Sequence, residues 1–388
     1  MAAVALTTSI VVAATDPDWI GTAPRNISQS KMDKALHPAV AAGPSGQIAI
    51  AWNDIPSGES KPDIFVARSY DQGRSWGSPT RVSATAAKSR LPDAIVLGNK
   101  IMVAWTEKWS NNDKTTFTVS EAEAGESSRL IPVPEADTPS DISTGPRLAA
   151  GPGRLHVVFN AGYDYGTEGS HIFHSTRELT DKTWPEANRI DTFSDQSISW
   201  FPALAISPDG KDLHVVWERL ATTGRTVWYA HGTLGDTGVT WASPRELPSS
   251  GASVKPDVAV SSNDGVHVVW GEEGQEPLSY RIRYCFYDPG RNVCSQSRLV
   301  DQELVYINAI NPTEPGPRLS LWEDESQARL CVTWHGFREG NAEDALLSCS
   351  PDSGVTWKSA RTMSAFSDVE ALDRDPSIRP SIAFRSEE

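Results

Sequence analysis

A chain of 388 residues with 50 acidic and 35 basic side chains has a formal charge of -15. That balance sets it against nucleic acid and anionic membrane surfaces as partners, since both are held by basic patches. Hydrophobic residues make up 39%, enough for a sizeable core, and no apolar run reaches the length of a membrane-spanning helix.

Met1 to Ala14 is apolar but has no basic n-region, so it does not read as an intact signal peptide. Within it Ser9-Ile10-Val11-Val12-Ala13 reads as a strand. Thr15-Asp16-Pro17-Asp18-Trp19 follows as a turn and Pro24-Arg25-Asn26-Ile27-Ser28 as a short outer strand. From Pro38 onward one phrase recurs. A short strand opening on proline stands at Pro38, Pro92, Pro146, Pro202, Pro256, Pro317 and Pro380, at separations of 54 to 63 by subtraction of residue numbers. After most of these comes a Gly- or Asp-containing turn and a second strand ending in an aromatic: Trp52, Trp105, Phe159, Trp217, Trp270 or Trp334. A third strand follows, such as Ile64-Phe65-Val66-Ala67 or Val227-Trp228-Tyr229-Ala230, and then a turn and a fourth, such as Thr80-Arg81-Val82-Ser83. Four antiparallel strands per unit at this period predict an all-β fold, a single β-propeller over 1–388. Six units are complete and the seventh, opening at Pro380, is cut short. The strands near the N-terminus would complete it, which predicts seven blades with the last closed by both termini, so that the ring has no open edge. The alternative is a six-bladed ring with Pro380 onward as a tail.

The turn between the third and fourth strands carries the most specific motif. Ser69-Tyr70-Asp71-Gln72-Gly73-Arg74-Ser75-Trp76 and Ser350-Pro351-Asp352-Ser353-Gly354-Val355-Thr356-Trp357 both read S-x-D-x-G-x-x-W, and Leu234 to Trp241 loses only the serine. A carboxylate that accepts backbone N–H bonds, a glycine free to take φ > 0 and a tryptophan folding onto apolar surface make a tight turn. The motif resembles the Asp-box, or BNR repeat, and so the chain resembles the sialidase-like propellers. The resemblance implies that Asp71, Asp236 and Asp352 are structural and that a ligand would sit on the opposite face, over the central channel.

The residue after each opening proline lies near that mouth: Ala39, Asp93, Arg147, Ala203, Asp257, Arg318 and Ser381. Charges in so apolar a frame need partners. Asp93 with Arg147, and Asp257 with Arg318, stand on adjacent units and can form inter-blade ion pairs. The functional reading is an anionic ligand on Arg147 and Arg318, with a carboxylate left for acid–base work. Glu218, His37 and His335 also fall near the mouth, and Trp109 and Trp200 lie outside the repeated tryptophan positions, free to stack on a sugar. His156, His214 and His267 share one second-strand position and so read as packing. The sialidase resemblance implies three arginines on a carboxylate, with Arg90 or Arg379 as the third, a tyrosine such as Tyr163 or Tyr165 paired with Glu218, and an aspartate acid–base. No His or Cys cluster has metal-ligand spacing, and no cofactor is implied.

Cys285 and Cys294 flank a turn at Asp288-Pro289-Gly290, and Cys331 and Cys349 lie on two apolar runs centred on Gly340. Each pair can form a local disulfide; the other reading is four reduced thiols. Disulfides would favour a secreted or extracellular protein whose signal sequence is not in this chain. Three functions stand: an enzyme cleaving anionic glycans, as glycosidase or polysaccharide lyase; a propeller that binds glycan or protein without catalysis; and a scaffold or surface-assembly subunit.

Overall fold

The structure is a computed structural model. It describes residues 26–30, 35–43, 46–83, 85–108, 115–121, 127–130, 145–162, 169–181, 183–236, 238–249, 251–274, 279–301, 305–306, 316–323, 328–337 and 343–363. These form an all-β propeller of antiparallel sheets. Blade I comprises Leu36–Ala42, Ile48–Asp54, Asp63–Ser69 and Thr80–Arg81, and blade II Lys88–Leu97, Lys100–Lys108, Thr115–Glu121 and Ser127–Leu130. Blade III comprises Arg147–Gly151, Arg154–Ala161, His171–Glu178 and Asn188–Arg189. Blade IV has Ile198–Ile206, Asp212–Ala221 and Gly224–Gly235, whose last strand pairs with both Gly238–Trp241 and Arg245–Glu246. Blade V has Ser253–Val260, Val266–Glu273 and Ser279–Asp288, with Val293–Leu299 and Val305–Tyr306 both on the third strand. Blade VI is Arg318–Glu323, Ala328–Phe337, Glu343–Ser350 and Arg361–Thr362.

The described residues therefore form six sheets, which corrects the expected count of seven. The segments assigned to the seventh, residues 9–13, 15–19 and 380–383, lie outside the described residues. Asn26 to Ser28 forms no strand, but Ile27 is buried against Ile48, Ile50 and Trp52 of blade I.

In blades II to VI the recurring aromatic of the second strand has one job. Trp105 packs on Ala51, Ile64 and Val66 of blade I, and Phe159 on Met102 and Ala104 of blade II. Trp217 packs on Val158 and Ile172 of blade III, Trp270 on Val216 and Tyr229 of blade IV, and Trp334 on Val269 and Tyr284 of blade V. Each aromatic thus fills the space towards the preceding blade. Because the second strand is covered on both faces, it reads as a nearly unbroken apolar run, and Ile48–Asp54 is buried at every position.

The first strands share a second device. The residues before four of the prolines, His37, Leu91, Phe201 and Lys255, have φ between 51 and 58°. In all four blades the register slips at this point, as at Trp200/Ala203 and Val254/Asp257. Such a bulge bends the strand and re-aims its side chains, at a strain of about 1–3 kcal/mol for a non-glycine residue. Blades III and VI carry Gly145 and Gly316 at this position. A Cβ on Gly316 would stand 2.2 Å from the Lys255 carbonyl oxygen, so only glycine admits the neighbouring bulge.

The two complete S-x-D-x-G-x-x-W turns are superposable in their hydrogen bonds. Asp71 Oδ1 accepts from the Ser75 amide at 2.8 Å and Asp352 Oδ1 from the Thr356 amide at 2.8 Å. Ser69 Oγ accepts from the Gly73 amide at 2.8 Å, and Ser350 Oγ from the Gly354 amide at 2.8 Å. Residues 234–241 behave differently: they extend a hairpin, with Gly235 opposite Gly238 and Gly232 opposite Trp241. Leu234 has no hydroxyl to hold the Gly238 amide, so the ladder runs on where the turn would have formed. Of the two readings of the cysteines, the structure has the disulfides, Cys285–Cys294 and Cys331–Cys349.

The three repeated histidines are buried packing groups. His214 Nδ1 lies 2.8 Å from Tyr229 Oη, His267 Nδ1 2.8 Å from Tyr284 Oη and His156 Nδ1 3.2 Å from His174 Nε2. Tyr284 Oη in turn donates to the Ser353 carbonyl at 3.1 Å, so His267 Nδ1 is the donor and Nε2 faces the core. Protonating Nε2 would bury a charge, and burial accordingly holds His156, His214 and His267 down to about 4 and His174 to about 3. Their unfolded counterparts titrate near 6.5. Their contribution to stability is therefore complete above that pH and declines as pH falls from about 6.5 towards 4, because the unfolded chain takes up protons that the folded one refuses. At pH 5 the loss is about 2 kcal/mol for each independent imidazole. Urea denaturation at pH 7 and pH 5 should show this loss, and a His267→Gln variant should show a smaller one.

Candidate active site at the channel mouth

First strands from four blades converge on the axis, where their charged residues meet. Asp93 Oδ2 accepts the Leu148 amide of blade III at 2.8 Å, and Asp257 Oδ2 accepts the Leu319 amide of blade VI at 2.9 Å. Each aspartate therefore fastens the first strand of the following blade. Arg147 bridges their remaining oxygens, with Nη1 3.5 Å from Asp93 Oδ1 and Nη2 donating to Asp257 Oδ1 at 3.2 Å. Both expected adjacent-blade pairs exist, Asp257 with Arg318 at 3.9 Å being the looser one. The bond from Arg147 to Asp257, two blades on, was not expected. Burial pulls the Arg147 pKa down, but Asp93 and Asp257 outweigh it and the net shift is upward. Arg318 shows the opposite balance: burial and the Arg147 cation push it down to about 10. Its side chain stays 24% exposed in the channel, and 3.9 Å is too long for a hydrogen bond.

At the mouth a second cluster surrounds Glu218, which is completely buried. It lies in the second strand of blade IV, one residue past the inter-blade Trp217, and pairs in register with Trp200. Arg225, from the start of the third strand, donates through Nη1 to Oε1, and the Lys255 amide of blade V donates to Oε2 at 3.0 Å. The Arg225 guanidinium lies 5.4 Å from the Trp200 ring centroid, and Lys255 Nζ lies 5.1 Å from that of Phe201. Tyr280 is buried nearby, its pKa raised by burial and by Glu273, with smaller influences from Arg225 and Glu218. Burial raises the Glu218 pKa as well, against the opposing pull of Arg225 and Lys255. The next blade supplies another carboxylate: Glu272 stands opposite Ser253 in register and accepts from Arg283 Nε at 2.6 Å.

The structure brings Trp200 and Glu218 together and gathers Asp93, Arg147, Asp257 and Arg318 in the channel. His37 and His335 belong to blades I and VI, both buried, with His37 Nδ1 2.5 Å from Asn53 Oδ1. Trp109, Tyr163, Tyr165 and Arg379 lie outside the described residues. Arg225, Lys255 and Tyr280 were missed. Lys255 did leave a signal, as a lysine at the pre-proline position where the other units carry His, Leu, Gly, Phe and Gly. Among the described residues no group of three His, Cys, Asp or Glu side chains could hold a metal ion.

No family model matches the chain, and no curated protein matches it. Solved structures do resemble it in fold. A Penicillium chrysogenum alpha-L-arabinanase complexed with arabinobiose is 15% identical, covering 83% of this chain and 95% of its own, with a TM-score of 0.54. An alpha-L-arabinofuranosidase of Fusarium graminearum bound to an iminosugar inhibitor is 14% identical, covering 83% and 94%, at 0.55. A protein of unknown function from Dyadobacter fermentans is 13% identical, covering 81% and 94%, at 0.52. At these identities the likeness concerns the fold alone.

The two channel arginines should separate in a stability measurement. Arg147→Ala leaves two shielded carboxylates without their shared cation and should cost about 3–5 kcal/mol in urea denaturation. Arg318→Ala should stay within about 1 kcal/mol of the parent, because only a long contact is lost.

Proposed function

We propose that this propeller acts on glycans at the channel mouth, as a glycosidase with Glu218 as its general acid. The observation that carries the reading is a carboxyl group whose burial raises its pKa, set beside Trp200 and within one blade of a second carboxylate, Glu272. Glycoside hydrolysis needs such a pair, one member kept protonated to meet the leaving oxygen and one ionised. Arg225 and the Lys255 amide position Glu218, and the Trp200 and Phe201 rings offer apolar faces of the kind sugars stack on. Arg318, loosely paired and open to the channel, suits a carboxylate or another electron-rich group on the substrate, consistent with an anionic glycan. The fold shared with an arabinanase and an arabinofuranosidase supports a glycan as substrate, with no bearing on its charge. Two disulfides suit an oxidising compartment and support secretion.

One observation favours a second reading, a glycan-binding propeller without catalysis. Both Glu218 oxygens are already hydrogen-bonded within the protein, so substrate would have to displace Arg225 or the Lys255 amide before the acid could work.

The test is mass spectrometry of arabinan, sialylated glycans and uronate-containing glycans incubated with the protein. The expected result is fragments that have gained water, with turnover falling about 10²–10⁴-fold in Glu218→Gln at a temperature where that variant remains folded. Unsaturated fragments without added water would identify a lyase, and an unchanged panel would favour the binding reading.

A further inference from the structure

A recess of about 360 Å³ opens beside the S-x-D-x-G-x-x-W turn of blade I, away from the channel. Val66 and Arg68 of the third strand and Tyr70 just past its end line it, together with Asp71, Gly77, Ser78 and Thr80. The Tyr70 ring is conspicuous because the residue is 62% exposed.

Blade VI provides an internal control. It makes the same turn, and its Lys358 amide donates to the Cys349 carbonyl at 3.0 Å just as the Gly77 amide donates to the Arg68 carbonyl at 2.8 Å. Yet the positions of Arg68, Tyr70 and Gly77 are taken there by Cys349, Pro351 and Lys358. Cys349 is bonded to Cys331 and packs with Leu347 and Met363. One copy of the turn thus carries a disulfide, a proline and a lysine where the other carries Arg68, an exposed tyrosine ring and a glycine beside the recess. The turn itself does not require the recess, so its contents need another reason.

We propose that this recess is a second glycan-binding site, which anchors a polysaccharide chain outside the channel with Tyr70 stacked on a sugar ring and Arg68, Ser78 and Thr80 hydrogen-bonding to its hydroxyls. Its volume suits a small ligand of this kind. A sugar offers an apolar C–H face and a rim of hydroxyls, which match an aromatic ring flanked by donors and acceptors. The class of ligand rests on the glycan reading above; catalysis at the mouth is not required.

The test is native electrophoresis of the full chain in gels containing soluble arabinan or polygalacturonate, with mobility referred to a polymer-free gel. Two variants probe the recess. Tyr70→Ala removes the ring. Gly77→Lys copies blade VI, and a Cβ at Gly77 comes no nearer than 3.7 Å to the Arg68 carbonyl, so the turn accepts it. The expected result is retardation of the parent by at least one polymer, weakened about tenfold in both variants and retained in Glu218→Gln. Retardation that is equal in parent and variants, or absent with both polymers, overturns the proposal. Tyr70-dependent retardation without any cleavage would leave this site standing and remove the glycosidase reading, so the two fail separately.

Discussion

One guanidinium holds the middle of this molecule. Arg147 reaches Asp93 of blade II and Asp257 of blade V, while each of those aspartates ties down a backbone amide of the following blade. Placed in so shielded a channel, any of these charges alone would be costly, and together they are nearly self-sufficient. The arrangement also repeats. The residue after the opening proline runs Ala39, Asp93, Arg147 and then Ala203, Asp257, Arg318, so blades I to III and IV to VI carry the same Ala-Asp-Arg order. The repeat is broken in its strengths, since Arg147 is bonded on two sides and Arg318 rests on one long contact. That asymmetry leaves Arg318 the less tightly held of the two arginines.

The packing between blades then fixes what stands at the mouth. In blades II to VI the second strand buries its aromatic against the preceding blade, so the next residue is held with little freedom. Across all six blades those next residues are Asn53, Thr106, Asn160, Glu218, Gly271 and His335, a varied set in an otherwise regular frame. Of the six, Glu218 is the acidic one, and the bulge at Lys255 delivers the amide that holds it. Between blades IV and V, the bulge in one first strand and burial in one second strand thus meet at this carboxyl group.

Much of the fold was legible because its determinants are local. Proline openings, terminal aromatics, two of the three aspartate turns and both cysteine pairs act within a few residues or across one hairpin, and their spacing survives in the chain. The third turn failed for an equally local reason, the absent serine hydroxyl. The candidate site was legible only in part. The adjacent-blade ion pairs could be read from neighbouring repeats, but the bond from Arg147 to Asp257 joins residues 110 apart across the axis and leaves no pattern in the sequence. Arg225 and Tyr280 were hidden for the same reason, since their importance lies in facing Glu218 and not in their own neighbours along the chain.

The general-acid role rests on Glu218 holding its proton to higher pH than an ordinary glutamate, the direction its burial favours against Arg225. Isotope-edited infrared titration of the glutamate carboxyl band, compared between the parent and Glu218→Gln, addresses this directly. The account predicts a protonated-carboxyl signal in the parent that persists above the ordinary glutamate range and is missing from the variant. A parent spectrum indistinguishable from that of Glu218→Gln, with every glutamate ionised at mildly acidic pH, would contradict it and leave Glu218 as a structural strut between blades IV and V.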